Sequence, residues 1–155
     1  RMVQIKHILG DLRVDQAYSR RARSISLNEP LSTAMQATLN SFQSSFPICE
    51  DGNLVGMLPY STLLKALEEK DLSTPIRDVM QTGIRPVSPR DTLIDVQKRM
   101  NREGVDALPV VDDNQGFLGM ITSHDLNEAY RLNLALGKTR PKPTSRQVSP
   151  VIQSG

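Results

Sequence analysis

The chain has 155 residues, of which 38% are hydrophobic and 23% charged, with three Phe, three Tyr and no Trp. This length suffices for one domain or for two small units that share an aliphatic core. One cysteine excludes an intrachain disulfide, and Cys49 lies in an apolar run that is typical of a small buried hydrophobe rather than a reactive thiol. No apolar run approaches the roughly 18 residues that span a bilayer, and no signal sequence is visible.

The net charge of +2 is unevenly distributed along the chain. After Glu128 there are five basic residues and no acidic one, which leaves 14 basic against 17 acidic residues in the rest. A mildly acidic body is a poor surface for nucleic acid, so no nucleic-acid partner is expected. Residues 137–155 are rich in Pro, Ser and basic side chains with almost nothing to bury, which predicts a disordered basic tail. Contact of this tail with nucleic acid or anionic lipid remains an alternative.

In chain order, residues 1–13 come first and place apolar side chains at helical spacing, interrupted by Gly10. This pattern predicts a short amphipathic lead-in helix. A lead-in of this kind, on a chain that begins with Arg1, leads us to expect a fragment of a longer protein.

From Val14 onward the sequence repeats itself. A shift of 62 residues places Phe46–Cys49 on Leu108–Val111, and a shift of 63 places Leu54–Leu58 on Phe117–Ile121. A shared Pro in one segment and a shared Gly-Met in the next indicate a duplicated unit of about 60 residues.

Each copy predicts the same order of elements: a short helical turn, a brief extended piece, a helix, two strands around an acidic turn, and a final helix. The first copy has a helix with apolar residues from Leu31 to Phe42, and the second has one in which Thr92 and Asp95 form a capping box. Two β-α-β-β-α units can bury their exposed faces against each other. The fold class is therefore α/β (α+β), with repeats at 14–71 and 75–134 related by pseudo-twofold symmetry.

The second copy carries a set of motifs that resembles a CBS domain (cystathionine-β-synthase domain). They are, in order, Asp78-Val79-Met80, Pro86-Val87-Ser88-Pro89, Thr92-Leu93, Leu108-Pro109-Val110-Val111-Asp112, Gly119-Met120-Ile121-Thr122 and Asp125-Leu126. With the first copy this makes a tandem pair, or Bateman module. The resemblance implies a compact pair with two clefts that binds adenine nucleotides or related adenosyl ligands. It also implies a homodimer and the regulation of an effector domain in the same or a partner chain.

A narrower similarity involves the lead-in ending Leu9-Gly10-Asp11-Leu12-Arg13-Val14 and the run Ser45-Phe46-Pro47 ahead of an acidic turn. These segments are similar to the CBS region of site-2-protease-like intramembrane zinc metalloproteases. That similarity implies a cytoplasmic location, on the cytosolic face of a membrane. No His-Glu-x-x-His motif occurs, since His7 and His124 are the only histidines, so no metal site and no catalytic residue is expected in this chain.

The candidate ligand site is the start of the last helix, where the resemblance implies that a hydroxyl residue and an Asp three positions later bind ribose and phosphate. These are Thr122 and Asp125, with Ser123 and His124 between them. A carboxylate accepts hydrogen bonds from two ribose hydroxyls, and a helix N-terminus favours phosphate. Thr and Asp at this spacing also form a capping box without any ligand. His124 either contacts phosphate or is an ordinary surface histidine.

The resemblance further implies an apolar slot for the base, formed by Ile84, Pro86, Val87 and Val110. Ordinary core packing of the two valines is the alternative interpretation. No family-typical basic residue precedes the Leu-Pro-Val-Val strand, where Asp106 would repel a polyphosphate and favours an AMP-like or adenosine-like ligand.

In the first copy Pro59 replaces Thr122 and Thr62 replaces Asp125, so we expect that cleft not to bind nucleotide in the standard way. At most one ligand per chain is then expected.

The sequence thus predicts a regulatory, adenosine-nucleotide-sensing and dimerising module that requires no cofactor. The alternative is a ligand-free structural module whose task is dimerisation. An enzyme is the least favoured class, because the sequence shows no Ser-His-Asp cluster, no Cys-His pair and no metal-ligand spacing.

Overall fold

The computed structural model describes residues 2–139, with side chains for residues 7–137. The elements are α1 (Met2–Asp11), β1 (Ile25–Ser26), α2 (Leu31–Asn40), β2 (Ser45–Glu50), β3 (Asn53–Pro59), α3 (Tyr60–Glu69), α4 (Leu93–Glu103), β4 (Ala107–Val111), β5 (Phe117–Thr122) and α5 (Ser123–Thr139). Short 3-10 turns at Val14–Gln16 and Ile76–Asp78 precede the two repeats. The predicted α+β class and the order of elements are confirmed.

The two repeats have the same strand topology. In the first, β1 pairs in parallel with β2, which pairs with β3 through a tight antiparallel turn. In the second, β4 and β5 form the antiparallel pair, and the counterpart of β1 is a single parallel bridge from Val87 to Val110. The pair Ile25 and Ile48 becomes Val87 and Val110 after the same shift of 62 residues, so the sequence repeat is also a repeat of register.

Helix boundaries follow local chemistry. The Thr92 Oγ1 accepts a hydrogen bond from the Asp95 N–H at 3.3 Å, which is one half of the predicted capping box. At the other end of α4, Gly104 has φ 69°, a left-handed conformation that glycine adopts without strain. Helix α2 ends at Asn40, two residues before the predicted Phe42, because the chain becomes extended at Ser41. Phe42 is consequently left outside the core.

Each repeat contributes the segment ahead of its first strand to the other repeat. Leu9, Val14 and Tyr18 are buried in the core of the second repeat, whereas Ile76 is buried in the core of the first. The predicted domain boundary at residue 14 therefore does not coincide with the boundary between the two cores.

Backbone pairing continues this crossing beyond the two cores. Ser19 exchanges two hydrogen bonds with Met120 at 2.8 and 3.0 Å. Gln81 does the same with Met57 at 2.8 and 2.9 Å. We call residues 19–23 and 81–86 the crossing segments, since each lies against a strand of the other repeat.

The repeated Gly-Met motif is explained by the crossing segments. A Cβ added to Gly119 would lie far inside contact distance of the Ser19 carbonyl oxygen, and one added to Gly56 would lie 2.8 Å from the Gln81 carbonyl oxygen. Glycine is required at both positions because the neighbouring backbone approaches so closely. The two β-turns also meet, since the Leu54 N–H donates to the Gln115 carbonyl oxygen at 3.0 Å.

The two ends of the chain flank the second repeat. Helix α1 packs against α4 and α5, as expected of an amphipathic lead-in. Helix α5 continues to Thr139, so the prediction of disorder is wrong for residues 137–139; no proline interrupts the helical sequence before Pro141. The rest of the predicted tail, residues 140–155, lies outside the described residues. Within residues 2–139, none of the helices is long and apolar enough to cross a bilayer.

Candidate functional site

Two clefts open where the repeats meet. The second-repeat cleft, at the N-terminus of α5, has a volume of about 420 Å³. It is lined by Ser19, Arg21, Ala22, Phe42, Gln43, Ser44, Ser45, Asp106, Ala107, Met120, Thr122, Ser123, His124 and Asp125. The first-repeat cleft, at the N-terminus of α3, has a volume of about 350 Å³. It is lined by Ser45, Met57, Pro59, Gln81, Gly83, Ile84, Arg85, Arg99, Glu103, Val105, Ala107, Leu108 and Pro109.

Thr122 and Asp125 form a reciprocal pair at the edge of the second-repeat cleft. The Thr122 N–H donates to Asp125 Oδ2 at 2.9 Å, and the Asp125 N–H donates to Thr122 Oγ1 at 3.1 Å. This is the complete capping box that the sequence allowed as an alternative. It also fixes the carboxylate in place, and within residues 7–137 no hydrogen bond reaches its second oxygen, Oδ1. The cap and a ligand site are therefore compatible.

The two residues between them are also on the cleft wall. Ser123 and His124 are exposed and line the second-repeat cleft. The Ser123 N–H donates to the Asp106 carbonyl oxygen at 2.9 Å, which attaches the start of α5 to the residue before β4. All four residues predicted at the start of the last helix are thus brought together.

The opposite wall comes from the first repeat, and the sequence gave no direct prediction of it. The crossing segment contributes Ser19, Arg21 and Ala22, and the loop between α2 and β2 contributes Phe42–Ser45. Gln43 holds these two pieces together. Its Oε1 accepts from the Arg23 N–H at 3.1 Å, and its Nε2 donates to the Arg23 carbonyl oxygen at 3.0 Å.

The four residues predicted to form the base slot do not join the Thr122–Asp125 site. Ile84 lines the first-repeat cleft. Val87 and Val110 are 2% and 0% exposed within the core of the second repeat, as the core-packing alternative held. Pro86 is half-buried, and its carbonyl oxygen accepts from Arg99 at 3.3 Å. The grouping is corrected because the segments cross: the counterpart of Ile84 in the second-repeat cleft is Ala22, 62 residues earlier.

The charges of the second-repeat cleft nearly balance. Arg21 and His124 stand against Asp106 and Asp125 on its walls. Asp106 accepts only a long hydrogen bond from the Ser44 hydroxyl, at 3.4 Å, and its exposed carboxylate lies where the sequence analysis expected repulsion of a polyphosphate. With two acidic side chains on its walls, the cleft offers no surplus of positive charge to a highly anionic ligand.

The first-repeat cleft has a different chemistry. Pro59 has no N–H to orient a carboxylate, and the position of Asp125 is taken by Thr62. The Thr62 hydroxyl already accepts from Gln81 Nε2 at 3.3 Å. The polar groups at this helix start are therefore satisfied by the protein itself.

Arg99 provides the main charge in the first-repeat cleft, and its contacts are also internal. Its side chain is 14% exposed and pairs with Glu103 at 3.2 Å. It donates to the carbonyl oxygens of Arg85 and Pro86, so it holds the crossing segment against α4. A guanidinium with these partners has little capacity left for a ligand phosphate.

No other chemistry competes with these clefts in the described part of the chain. Residues 7–137 contain no cluster of three or more side chains suited to a metal ion. Burial raises the pKa of the Cys49 thiol, and a hydrogen bond with Ser24 only partly opposes the rise. The thiol therefore stays protonated near neutral pH, consistent with a buried hydrophobe.

Comparison with known proteins gives the family of this fold. The sequence matches the CBS domain family over residues 14–69 and again over residues 76–132. A homoserine O-acetyltransferase of Methanosphaera stadtmanae is 25% identical over 127 residues, which is 81% of this chain and 26% of that protein. The chain thus spans about a quarter of the length of the first curated relatives it matches.

Two solved structures show the same architecture. The protein AcuB of Vibrio cholerae superimposes with a TM-score of 0.75 at 23% identity, covering 84% of this chain and 98% of that one. The CBS domain pair of protein MJ0100, in complex with 5′-methylthioadenosine and S-adenosyl-L-methionine, gives 0.68 at 22% identity, covering 76% and 98%. The duplicated sequence, the crossed repeats and these matches lead to one conclusion: the chain belongs to the CBS domain family and contains two CBS domains in tandem.

Proposed function

We propose that this chain is a regulatory CBS pair that binds one adenosine-like or AMP-like ligand in the second-repeat cleft. The observation that carries the proposal is the Asp125 carboxylate, which lines a cleft of about 420 Å³ and is oriented by the Thr122 N–H. The volume falls within the range of about 300–1,000 Å³ that small-molecule sites occupy.

The hydrogen-bonding groups at this cleft match a ribose. Asp125 Oδ1 is available to accept from the 2′ and 3′ hydroxyls while Oδ2 keeps its bond to the main chain. The N-terminus of α5 places the positive end of a helix dipole beside Ser123, which favours one phosphate group. A CBS pair of the same fold is known with 5′-methylthioadenosine and S-adenosyl-L-methionine, which supports an adenosyl ligand.

The ligand should carry little negative charge. Asp106 and Asp125 both line the second-repeat cleft, and each additional phosphate would add repulsion that Arg21 and His124 cannot fully offset. Adenosine, AMP and 5′-methylthioadenosine are therefore preferred to ATP. The first-repeat cleft takes no adenosine in this proposal, because Gln81 already engages Thr62.

Regulation follows from the position of the cleft between the repeats. A ligand held by Asp125 of the second repeat also touches the crossing segment and the Phe42–Ser45 loop of the first. It therefore stabilises one relative arrangement of the repeats, and any effector domain sensitive to that arrangement is controlled. We propose a cytoplasmic homodimer that acts on a fused or partner domain. An intramembrane metalloprotease is one such domain, on the narrower sequence similarity.

The alternative function, a ligand-free dimerisation module, is favoured by one observation. Leu39, Phe42, Tyr60 and Leu64 form an exposed apolar patch on α2 and α3, and Leu39 is 72% exposed. Exposed apolar patches of this kind often mark protein interfaces. This patch is compatible with sensing as well as with dimerisation, so a ligand measurement has to separate the two.

The experiment is a melting-temperature screen with adenosine, AMP, ADP, ATP and S-adenosylmethionine on the wild type and Asp125→Asn. A ligand at 100 times its Kd stabilises the folded protein by about 2.7 kcal/mol, which raises the melting temperature by several degrees. Asp95→Asn is the matched control, since Asp95 has the same position at the cap of α4 and does not line the cleft. Stabilisation of the wild type and the control alone supports sensing. No response to any ligand by an intact dimer supports the alternative.

A further inference from the structure

Phe42 occupies an unusual position at the mouth of the second-repeat cleft. It follows α2, lines the cleft, and is nevertheless 65% exposed. Its ring meets the Tyr60 ring edge-on, with centroids 5.2 Å apart and an angle of 75° between the planes. A large apolar ring that is mostly in water beside a polar cleft has a face available for another flat group.

The aromatic side chain is specific to this cleft. The repeat places Gly104 at the position of Phe42, so the first-repeat cleft has no counterpart. Among the described residues that line the two clefts, Phe42 is the one aromatic. The cleft that keeps the Thr122–Asp125 pair is therefore also the cleft with an aromatic wall.

The backbone beneath Phe42 is firmly held. The Ser44 carbonyl oxygen accepts from the Tyr60 N–H at 2.9 Å, and Gln43 Nε2 donates to the Ser45 carbonyl oxygen at 2.9 Å. The loop is thus positioned by the protein before any ligand arrives, which reduces the entropy cost of a contact made by the Phe42 ring.

The distribution of polarity in the cleft assigns the two ends of a nucleoside. The carboxylate and hydroxyl groups are at the start of α5, whereas Phe42, Ala22 and Met120 supply the apolar part of the lining. A ribose bound at Asp125 leaves the base to the apolar part. We propose that the Phe42 ring stacks on the base and makes the second-repeat cleft selective for a purine nucleoside over a sugar phosphate. This inference rests on the proposed function and adds a specificity residue to it.

The test is calorimetric titration of adenosine, AMP and ribose 5-phosphate into the full chain and its variants. Stacking of a base on an aromatic ring is lost in Phe42→Ala, which should weaken adenosine and AMP binding by about five- to 150-fold. Phe42→Trp keeps a larger ring and should bind adenosine at least as tightly as the wild type. Ribose 5-phosphate lacks a base, so its affinity should be the same for all three proteins.

Leu39→Ala and Leu64→Ala are the matched controls, because both side chains belong to the exposed patch and neither lines the cleft. Both should leave adenosine affinity unchanged. Equal adenosine affinity of Phe42→Ala and the wild type would overturn the inference. So would an equal loss in the two leucine variants, or a loss that accompanies dissociation of a dimer in sedimentation, since Phe42 would then act through assembly. If Asp125→Asn loses binding and Phe42→Ala does not, the proposed function stands without this inference; a wild type that binds no nucleoside overturns both.

Discussion

Replacing Gly119 by alanine tests the crossing of the repeats, on which the second-repeat cleft depends. The added Cβ would collide with the Ser19 carbonyl oxygen and lie 2.9 Å from the Tyr18 ring. Tyr18 is buried and Ser19 is bound to Met120 by two backbone hydrogen bonds, so neither can move without loss. Overpacking, together with the loss of one hydrogen bond, should lower the free energy of unfolding by about 2–4 kcal/mol.

Urea unfolding followed by circular dichroism measures this loss, with the midpoint lowered and the slope unchanged. Gly10→Ala is the matched control, because the nearest heavy atom to its added Cβ is 3.9 Å away on Ile94 and the position is helical. That variant should gain about 0.5–1 kcal/mol from the higher helix propensity of alanine. A Gly119→Ala protein as stable as the wild type would show that the crossing segment does not lie against β5.

Three further predictions concern stability. Thr92→Ala removes the hydroxyl that accepts from the Asp95 N–H, and should lower the free energy of unfolding by about 1 kcal/mol in urea without changing nucleoside affinity. Arg99→Met removes the donors to the Arg85 and Pro86 carbonyl oxygens; it should cost about 1–3 kcal/mol and speed amide exchange in the crossing segment, and unchanged exchange would contradict the role given to Arg99. Burial raises the pKa of the Cys49 thiol in the folded state, so the wild type should lose stability relative to Cys49→Ala as the pH rises past the usual thiol range, whereas a parallel pH dependence would argue against burial.

Local patterns in the sequence predicted the repeat, the order of elements and the helix caps. Apolar spacing reports which face of an element is buried, and a Thr-x-x-Asp run reports a helix start. The pairs Ile25–Ile48 and Val87–Val110 even preserve the sequence shift of 62 residues as strand register. These features depend on neighbours in the chain or on the repeat itself, so one sequence is enough to identify them.

The base slot was wrongly assigned because an apolar pattern does not say which copy of a repeat it packs against. Val14–Tyr18 has the same pattern whether it is buried in its own repeat or in the other. Gly56 and Gly119 were the available signal, since a glycine at the same place in two strands indicates a close backbone approach. The role of Phe42 was hidden for a different reason. Its helical spacing predicted a core position, and α2 ends before reaching it.

The central claim is that the Asp125 carboxylate binds the ribose of an adenosine-like ligand. Calorimetric titration of AMP into the wild type, Asp125→Asn and the Asp95→Asn control tests this directly. We predict one site per chain in the wild type and the control, with affinity about ten- to 100-fold weaker in Asp125→Asn, since hydrogen bonds to a charged group are lost. Equal AMP affinity in all three proteins, or no binding of AMP or adenosine by the wild type, would contradict it.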